Sequence, residues 1–130
     1  MSATTTSPPR PSDSELAILQ VLWEHGPCTV RQVHEVLERD TGYTTVMKLM
    51  QIMAEKGLVE RDEENRAHLY HAAVKQETVE KGLVRRMLDN AFSGSAARLA
   101  MRALSTKKPS AEELAELREL IDSLEKGGRS

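Results

Sequence analysis

The order of the secondary-structure signals within residues 13–74 constrains the fold of this chain more than any other feature. Apolar residues first recur at helical spacing in three short stretches, with glycines at the breaks between them. Two stretches with β-branched residues or with alternating apolar and polar residues then flank a polar turn, which is typical of a hairpin. The pattern predicts helices at 13–25, 29–40 and 44–56 and strands at 58–61 and 67–74.

The third predicted helix has two different faces. Its inner stripe is apolar, and its other face carries polar side chains at the same helical spacing. Three short helices followed by a hairpin, with a polar face on the third helix, are the plan of a winged helix-turn-helix. The fold class predicted is therefore mainly α with a small β-hairpin, namely a winged helix-turn-helix domain plus a C-terminal helical dimerisation domain.

This plan predicts a site for double-stranded DNA. A helix fits the major groove of B-DNA, the preceding helix approaches the phosphate backbone, and the wing adds further contacts. Threonine offers a hydroxyl and a methyl group to base edges, and the basic side chains lie within reach of phosphate. The candidate DNA-binding residues are Arg31, Tyr43, Thr44, Thr45, Lys48, Arg66 and His68.

Each of these candidates also has a purely structural interpretation. Thr44 or Thr45 could cap the third helix, and Tyr43 could be a packing residue whose hydroxyl bonds to the backbone. Lys48 could be an ordinary solvated lysine, and Arg66 could keep a strand edge soluble.

The charge balance favours a different class of function. Residues 1–75 contain eight Lys or Arg residues and eleven Asp or Glu residues, a net charge of −3, whereas DNA-binding domains usually carry a basic surface. Three of these acids, Asp62, Glu63 and Glu64, lie in the predicted wing turn. The alternative function is a winged-helix module that binds another protein without reading DNA.

The C-terminal third predicts three more helices, at 76–91, after Ser95, and after Ser110, which forms a capping box with Glu113. Their apolar stripes predict a homodimer, because a second copy would cover them. Folding of these helices back onto the N-terminal domain is the alternative. The predicted domains are a disordered tail (1–12), a winged helix (13–75) and a dimerisation domain (76–126). The candidate dimerisation residues are Val84, Leu88, Leu99, Leu104, Leu114, Leu117, Ile121 and Leu124.

Several other classes are not expected. The sequence has no nucleophile elbow, phosphate loop or zinc-protease motif, and its four histidines show no metal-ligand spacing, so we expect no enzyme, cofactor or metal. No apolar run is long enough for a membrane span, and a reducing, cytoplasmic location is expected. Cys28 precedes a helix N-terminus, which could lower its pKa, so a thiol-based sensor is a further alternative.

Four segments resemble one known family. They are SDSELAILQVLWEHGP (12–27), TVRQVHEVL (29–37), YTTVM (43–47) and KGLV (56–59). They are similar to penicillinase repressors of the BlaI/MecI/CopY type, and the resemblance covers about residues 12–126.

The resemblance implies a dimeric transcriptional repressor on a palindromic operator, with the segment Tyr43 to Lys48 in the major groove. Many members of the family are inactivated when a membrane sensor protease triggers cleavage in the dimerisation region, so a sensor-protease pathway is an implied partner. Asn90 and Phe92 lie in the corresponding stretch, but Ala91 interrupts the family's scissile Asn-Phe pair, and cleavage is not expected. The cysteine motif of the copper-responsive branch is missing, which argues against copper sensing.

Overall fold

The computed structural model describes residues 10–37, 41–63 and 68–127. Six helices and one antiparallel hairpin are found in the described chain, in the order expected from the sequence. The elements are α1 (Asp13–His25), α2 (Val30–Leu37), α3 (Tyr43–Lys56), β1 (Val59–Asp62), β2 (Leu69–Ala72), α4 (Gln76–Ala91), α5 (Ala96–Thr106) and α6 (Ala111–Gly127).

Local signals account for the limits of α1. The Ser12 side chain accepts a hydrogen bond from the backbone N–H of Glu15, and the Glu15 carboxylate accepts one from the backbone N–H of Ser12. This reciprocal capping box satisfies two amides that the helix cannot satisfy itself. Gly26, with φ +80°, then ends the helix in a conformation that other residues rarely adopt.

The helices α2 and α3 begin differently. Thr29 and Gln32 exchange side-chain-to-backbone hydrogen bonds at the start of α2. The N-cap of α3 is Gly42, which has no side chain to offer, so the interpretation of Thr44 or Thr45 as the cap is wrong. At the other end of α3, Gly57 adopts the left-handed conformation (φ +84°) that the sequence predicts for it.

The hydrophobic core of the N-terminal unit lies among the three helices and the hairpin. The apolar stripes predicted for α1 and α3 supply most of it, as amphipathic helices require. Its fully buried side chains are Ile18, Leu19, Val33, Val46, Met50, Met53, Leu58 and Val59.

The hairpin is shorter than the sequence predicts. β1 runs one residue later than expected, and β2 is confined to Leu69–Ala72, with Val59 opposite Ala72 in the antiparallel register. His68 lies before β2 with φ +53°. Tyr70 also pairs through its backbone with Cys28, at 2.9 and 2.8 Å, so the wing is tied to the segment between α1 and α2.

A charged pair joins the start of α1 to the end of α3. The Lys56 ammonium donates to both carboxylate oxygens of Glu15, at 2.8 and 3.1 Å. The Glu15 side chain is 4% exposed, whereas that of Lys56 is 36% exposed. The pair therefore compensates a buried carboxylate and sets the position of α3 against α1.

The chain divides into two compact units, residues 1–85 and 86–130, with the division inside α4. The predicted capping residues of the second unit are confirmed, because Ser95 accepts from the Arg98 amide and Ser110 and Glu113 form a capping box. The predicted domain limits stay predictions, and residues 1–9 of the predicted tail lie outside the described residues. Within the described chain, no helix is both long and apolar enough to cross a membrane.

Candidate nucleic-acid interface

The outer face of α3 is open to solvent. Thr44, Thr45 and Lys48 are all exposed, while Val46 and Met50 on the opposite face are buried. The helix therefore presents two hydroxyls, two methyl groups and one ammonium at its N-terminal half. These groups can donate to, accept from or contact base edges and phosphates in a major groove.

A cleft of about 430 Å³ lies beside this face. It is bounded by the N-terminal part of α2, by the side of α3 that carries Tyr43, Met47 and Gln51, and by the hairpin. Three of the predicted DNA-binding residues line it, namely Arg31, Tyr43 and His68. The structure thus brings these three together from separate elements. It places Thr44, Thr45 and Lys48 on the neighbouring face of α3 and not among the residues that line the cleft.

Gln51 and Arg61 also line this cleft, although neither is among the candidate DNA-binding residues predicted from the sequence. Arg61 on β1 lines it opposite its cross-strand partner Tyr70, because directly opposed residues project to the same face of a hairpin. Gln51 lines it because it lies two helical turns beyond Tyr43 on α3. The helical spacing of Tyr43 and Gln51 could have predicted that Gln51 lies beside Tyr43, whereas the position of Arg61 could be predicted only from the strand register.

The local charge of the cleft differs from the net charge of the unit. Its described lining residues include two arginines and one histidine but no carboxylate. Arg61 donates to the Glu63 carboxylate at 3.2 Å, and the hydrogen bond and charge of Glu63 raise the pKa of the guanidinium. Across the hairpin, the Glu60 carboxylate lies 3.0 Å from His71 Nε2. The net charge of −3 therefore does not describe this surface.

Tyr43 packs through its ring but is not a core residue. Its ring meets that of His34 edge-on, with the centroids 6.1 Å apart and an interplanar angle of 82°, and the side chain is 45% exposed. This exposure leaves Tyr43 accessible from the cleft. Glu64, which the sequence places in the wing turn, and Arg66, which it places beside that turn, lie outside the described residues.

Cys28 has the opposite environment from a reactive thiol. It is 5% exposed, and its thiol donates to the Gly26 carbonyl oxygen at 3.3 Å. Burial raises the pKa of the Cys28 thiol, so the expected lowering by the helix N-terminus is wrong. A protonated, buried thiol is a poor nucleophile, which weighs against a thiol-based sensor at this position.

The predicted dimerisation residues lie on helices with little internal burial. The described parts of α5 and α6 contain no buried residue at all. Ile121 is 55% exposed and Leu124 is 63% exposed, although both are apolar. Leu104 and Leu117 line a groove of about 560 Å³ between α5 and α6. An apolar surface of this kind is typical of an interface.

Comparisons with known proteins agree on one family. A family model described as penicillinase repressor matches residues 11–123. The transcriptional regulator BlaI of two Mycobacterium tuberculosis strains, CDC 1551 and H37Rv, is 37% identical over 121 residues, which cover 91% of this chain and 87% of the relative.

Two solved structures are similar with lower identity. The monomeric form of Bacillus licheniformis BlaI, in complex with the blaP half-operator, has a TM-score of 0.48 at 22% identity and covers 55% of this chain and 89% of its own. A probable transcriptional regulator from Pseudomonas aeruginosa has a TM-score of 0.45 at 22% identity and covers 87% of this chain and 77% of its own.

Proposed function

The chain belongs to the penicillinase repressor family, and we propose that it is a sequence-specific DNA-binding repressor that acts as a homodimer on a palindromic operator. Two copies would present their α3 helices to successive major grooves on one face of the duplex, about one helical turn apart. Repression would follow because the bound dimer blocks access of RNA polymerase to the promoter.

The observation that carries this proposal is the arrangement around α3. An exposed helix face with Thr44, Thr45 and Lys48 lies next to a cleft that is lined by Arg31 and Arg61. The first set has the chemistry for base edges, and the second set has the chemistry for the phosphate backbone. The presence of groups for base edges on α3 and of groups for phosphate in the neighbouring cleft supports direct readout of duplex DNA more than it supports docking of a protein.

The exposed apolar side chains of α5 and α6 support the homodimer. Because no residue of α5 (Ala96–Thr106) or α6 (Ala111–Gly127) is buried, these helices gain little stability from packing within one copy, and a second copy would bury the predicted dimerisation residues. Because a two-fold dimer binds two equivalent half-sites, its operator is expected to be palindromic.

Release from DNA would follow from any signal that weakens the dimer or its DNA contacts. A monomer has half of the phosphate contacts of the dimer, and the affinity for DNA depends steeply on their number. A sensor-protease pathway is one route in the family. Asn90 and Ala91 are exposed near the end of α4, but Ala91 interrupts the scissile pair, so we propose release without cleavage at this position.

Retention of genomic DNA fragments tests the proposal. Full-length protein is incubated with fragments of its own genome at low and at physiological salt, and the retained fragments are sequenced. The proposal expects one palindromic motif among them. If no fragment is retained even at low salt, direct DNA binding is refuted and the protein-interaction module takes its place.

A double substitution tests the dimer separately. Leu117→Asp with Leu124→Asp puts two charges on the α6 surface, which would cost far more to bury than leucine. Sedimentation should show monomers, and tight binding to the selected operator should be lost. Persistence of the dimer in this variant would show that the interface lies elsewhere.

A further inference from the structure

The start of α3 lacks the side-chain cap that secures other helices of this chain. Hydroxyls of Ser12, Thr29, Ser95 and Ser110 each accept a backbone N–H at the start of α1, α2, α5 and α6. The N-cap of α3 is Gly42, with no side-chain hydrogen bond. The helix proposed to read DNA therefore begins without the usual local restraint.

A side chain from α2 contacts the chain at this point. The Nε2 atom of His34 lies 3.0 Å from the carbonyl oxygen of Thr41, the residue before the N-cap Gly42. Because a carbonyl oxygen only accepts, Nε2 must carry the hydrogen and donate it. The same ring meets Tyr43 edge-on, with a centroid distance of 6.1 Å. One histidine thus contacts the residues on both sides of Gly42.

We propose that His34 is a positioning residue for DNA recognition, which holds the first turn of α3 and Tyr43 in the orientation that DNA requires. This inference rests on the proposed function. Side chains that read a partner must be held within a fraction of an ångström, and their support comes from contacts with neighbouring groups. His34 supplies that support from the helix that precedes α3.

The two contacts of His34 have separable roles. The Nε2 hydrogen bond restrains the backbone where it leads into α3, whereas the ring edge restrains the side chain of Tyr43. Phenylalanine keeps an aromatic ring in this place but has no N–H to donate, and alanine removes both contacts. His34→Phe and His34→Ala therefore distinguish the hydrogen bond from the ring contact. His25→Ala is the matched control, because His25 is an exposed histidine at the end of α1.

Binding is measured by fluorescence anisotropy on the selected operator and on a random duplex of equal length. If the hydrogen bond has the usual net strength, His34→Phe should lower operator affinity about fivefold for each bound subunit. The random duplex should be bound within about twofold of the wild-type affinity, because phosphate contacts dominate there. His34→Ala should lose more on the operator, and His25→Ala should bind both duplexes like the wild type.

Amide hydrogen exchange provides a readout without DNA. The Val46 amide donates to the Gly42 carbonyl oxygen at 3.2 Å and reports on the first turn of α3. In His34→Phe and His34→Ala this amide should exchange faster, while amides in the middle of α3 keep the wild-type rate.

Unchanged exchange at Val46 in both variants would overturn the proposal, as would equal weakening on operator and random duplex. The exchange result does not depend on DNA, so it decides whether His34 restrains the start of α3 even if the wild type retains no fragment. Absence of retained fragments would refute the proposed function instead. The two failures are therefore distinguishable.

Discussion

The ion pair between Glu15 and Lys56 gives a sharp test of how the N-terminal unit holds α3. Lys56→Met keeps most of the aliphatic side chain but removes the ammonium that donates to both oxygens of the buried carboxylate. The backbone N–H of Ser12 still donates to Glu15 at 2.9 Å. The carboxylate is then left buried with hydrogen bonding from Ser12 but without a charged partner at Lys56.

The size of the effect follows from the burial of the two partners. Removal of one partner from a fully buried pair costs about 3–5 kcal/mol. Since the Lys56 side chain is 36% exposed, water screens part of the interaction and replaces part of the loss. We expect the free energy of unfolding to fall by about 1–2 kcal/mol.

Urea denaturation followed by the fluorescence of Trp23, the one tryptophan of the chain, measures this loss. At a slope of about 1.5 kcal/mol per M, the midpoint should fall by about 1 M. Lys81→Met is the matched control, because Lys81 pairs with Glu77 on the exposed face of α4 and such pairs contribute at most about 0.5 kcal/mol. Equal losses in the two variants would refute the reasoning.

The same pair predicts a dependence on pH. Burial raises the pKa of the Glu15 carboxyl, but hydrogen bonds from Lys56 and Ser12 and the charge of Lys56 outweigh it, so that the pKa lies below its ordinary value of 4.5. The stabilisation is therefore present above the pKa of the unfolded chain and is lost as the pH falls through the lowered value. The difference between the wild type and Lys56→Met should shrink in acid, and a constant difference would contradict the assignment.

Three further substitutions test other parts of the account. In Gly82→Ala in α4, the added carbon meets no atom within 4 Å. The free energy of unfolding, measured in thermal melts, should rise by about 0.5–1 kcal/mol, and a fall in this free energy would show that the substitution strains the helix. Gly42→Asp should stabilise α3 by a few tenths of a kcal/mol as a cap but weaken operator binding. A variant in which stability and operator affinity rise or fall together would contradict this expectation. The double substitution Thr44→Ala with Thr45→Ala should lower operator affinity and leave folding intact, whereas the control Thr78→Ala should leave operator affinity unchanged. Unchanged affinity in the double variant would show that other residues recognise the operator.

Much of the fold could be predicted because its signals are local. Helical spacing of apolar residues indicated the six helices, and the capping pair Ser110–Glu113 predicted where the last of them starts. Gly57 ended α3 for a reason visible in the sequence, since glycine tolerates positive φ. These signals need no knowledge of distant residues.

The features that were not predicted depend on distant partners. The Glu15–Lys56 pair joins residues 41 positions apart, so no local pattern in the sequence indicates it. Arg61 lines the cleft because the hairpin register sets it opposite Tyr70, and the strand limits predicted from the sequence did not determine that register. The His34 contact with Thr41 depends on the packing of α2 against α3, which periodicity does not reveal.

Protection of guanine N7 atoms on a selected operator fragment tests the central claim most directly. These atoms lie in the major groove, where two α3 helices from one dimer are proposed to lie. The account predicts two symmetric clusters of protected guanines about ten base pairs apart on one face of the duplex, both lost in Thr44→Ala with Thr45→Ala. Protection that is confined to one cluster, or that persists in this variant, would contradict it.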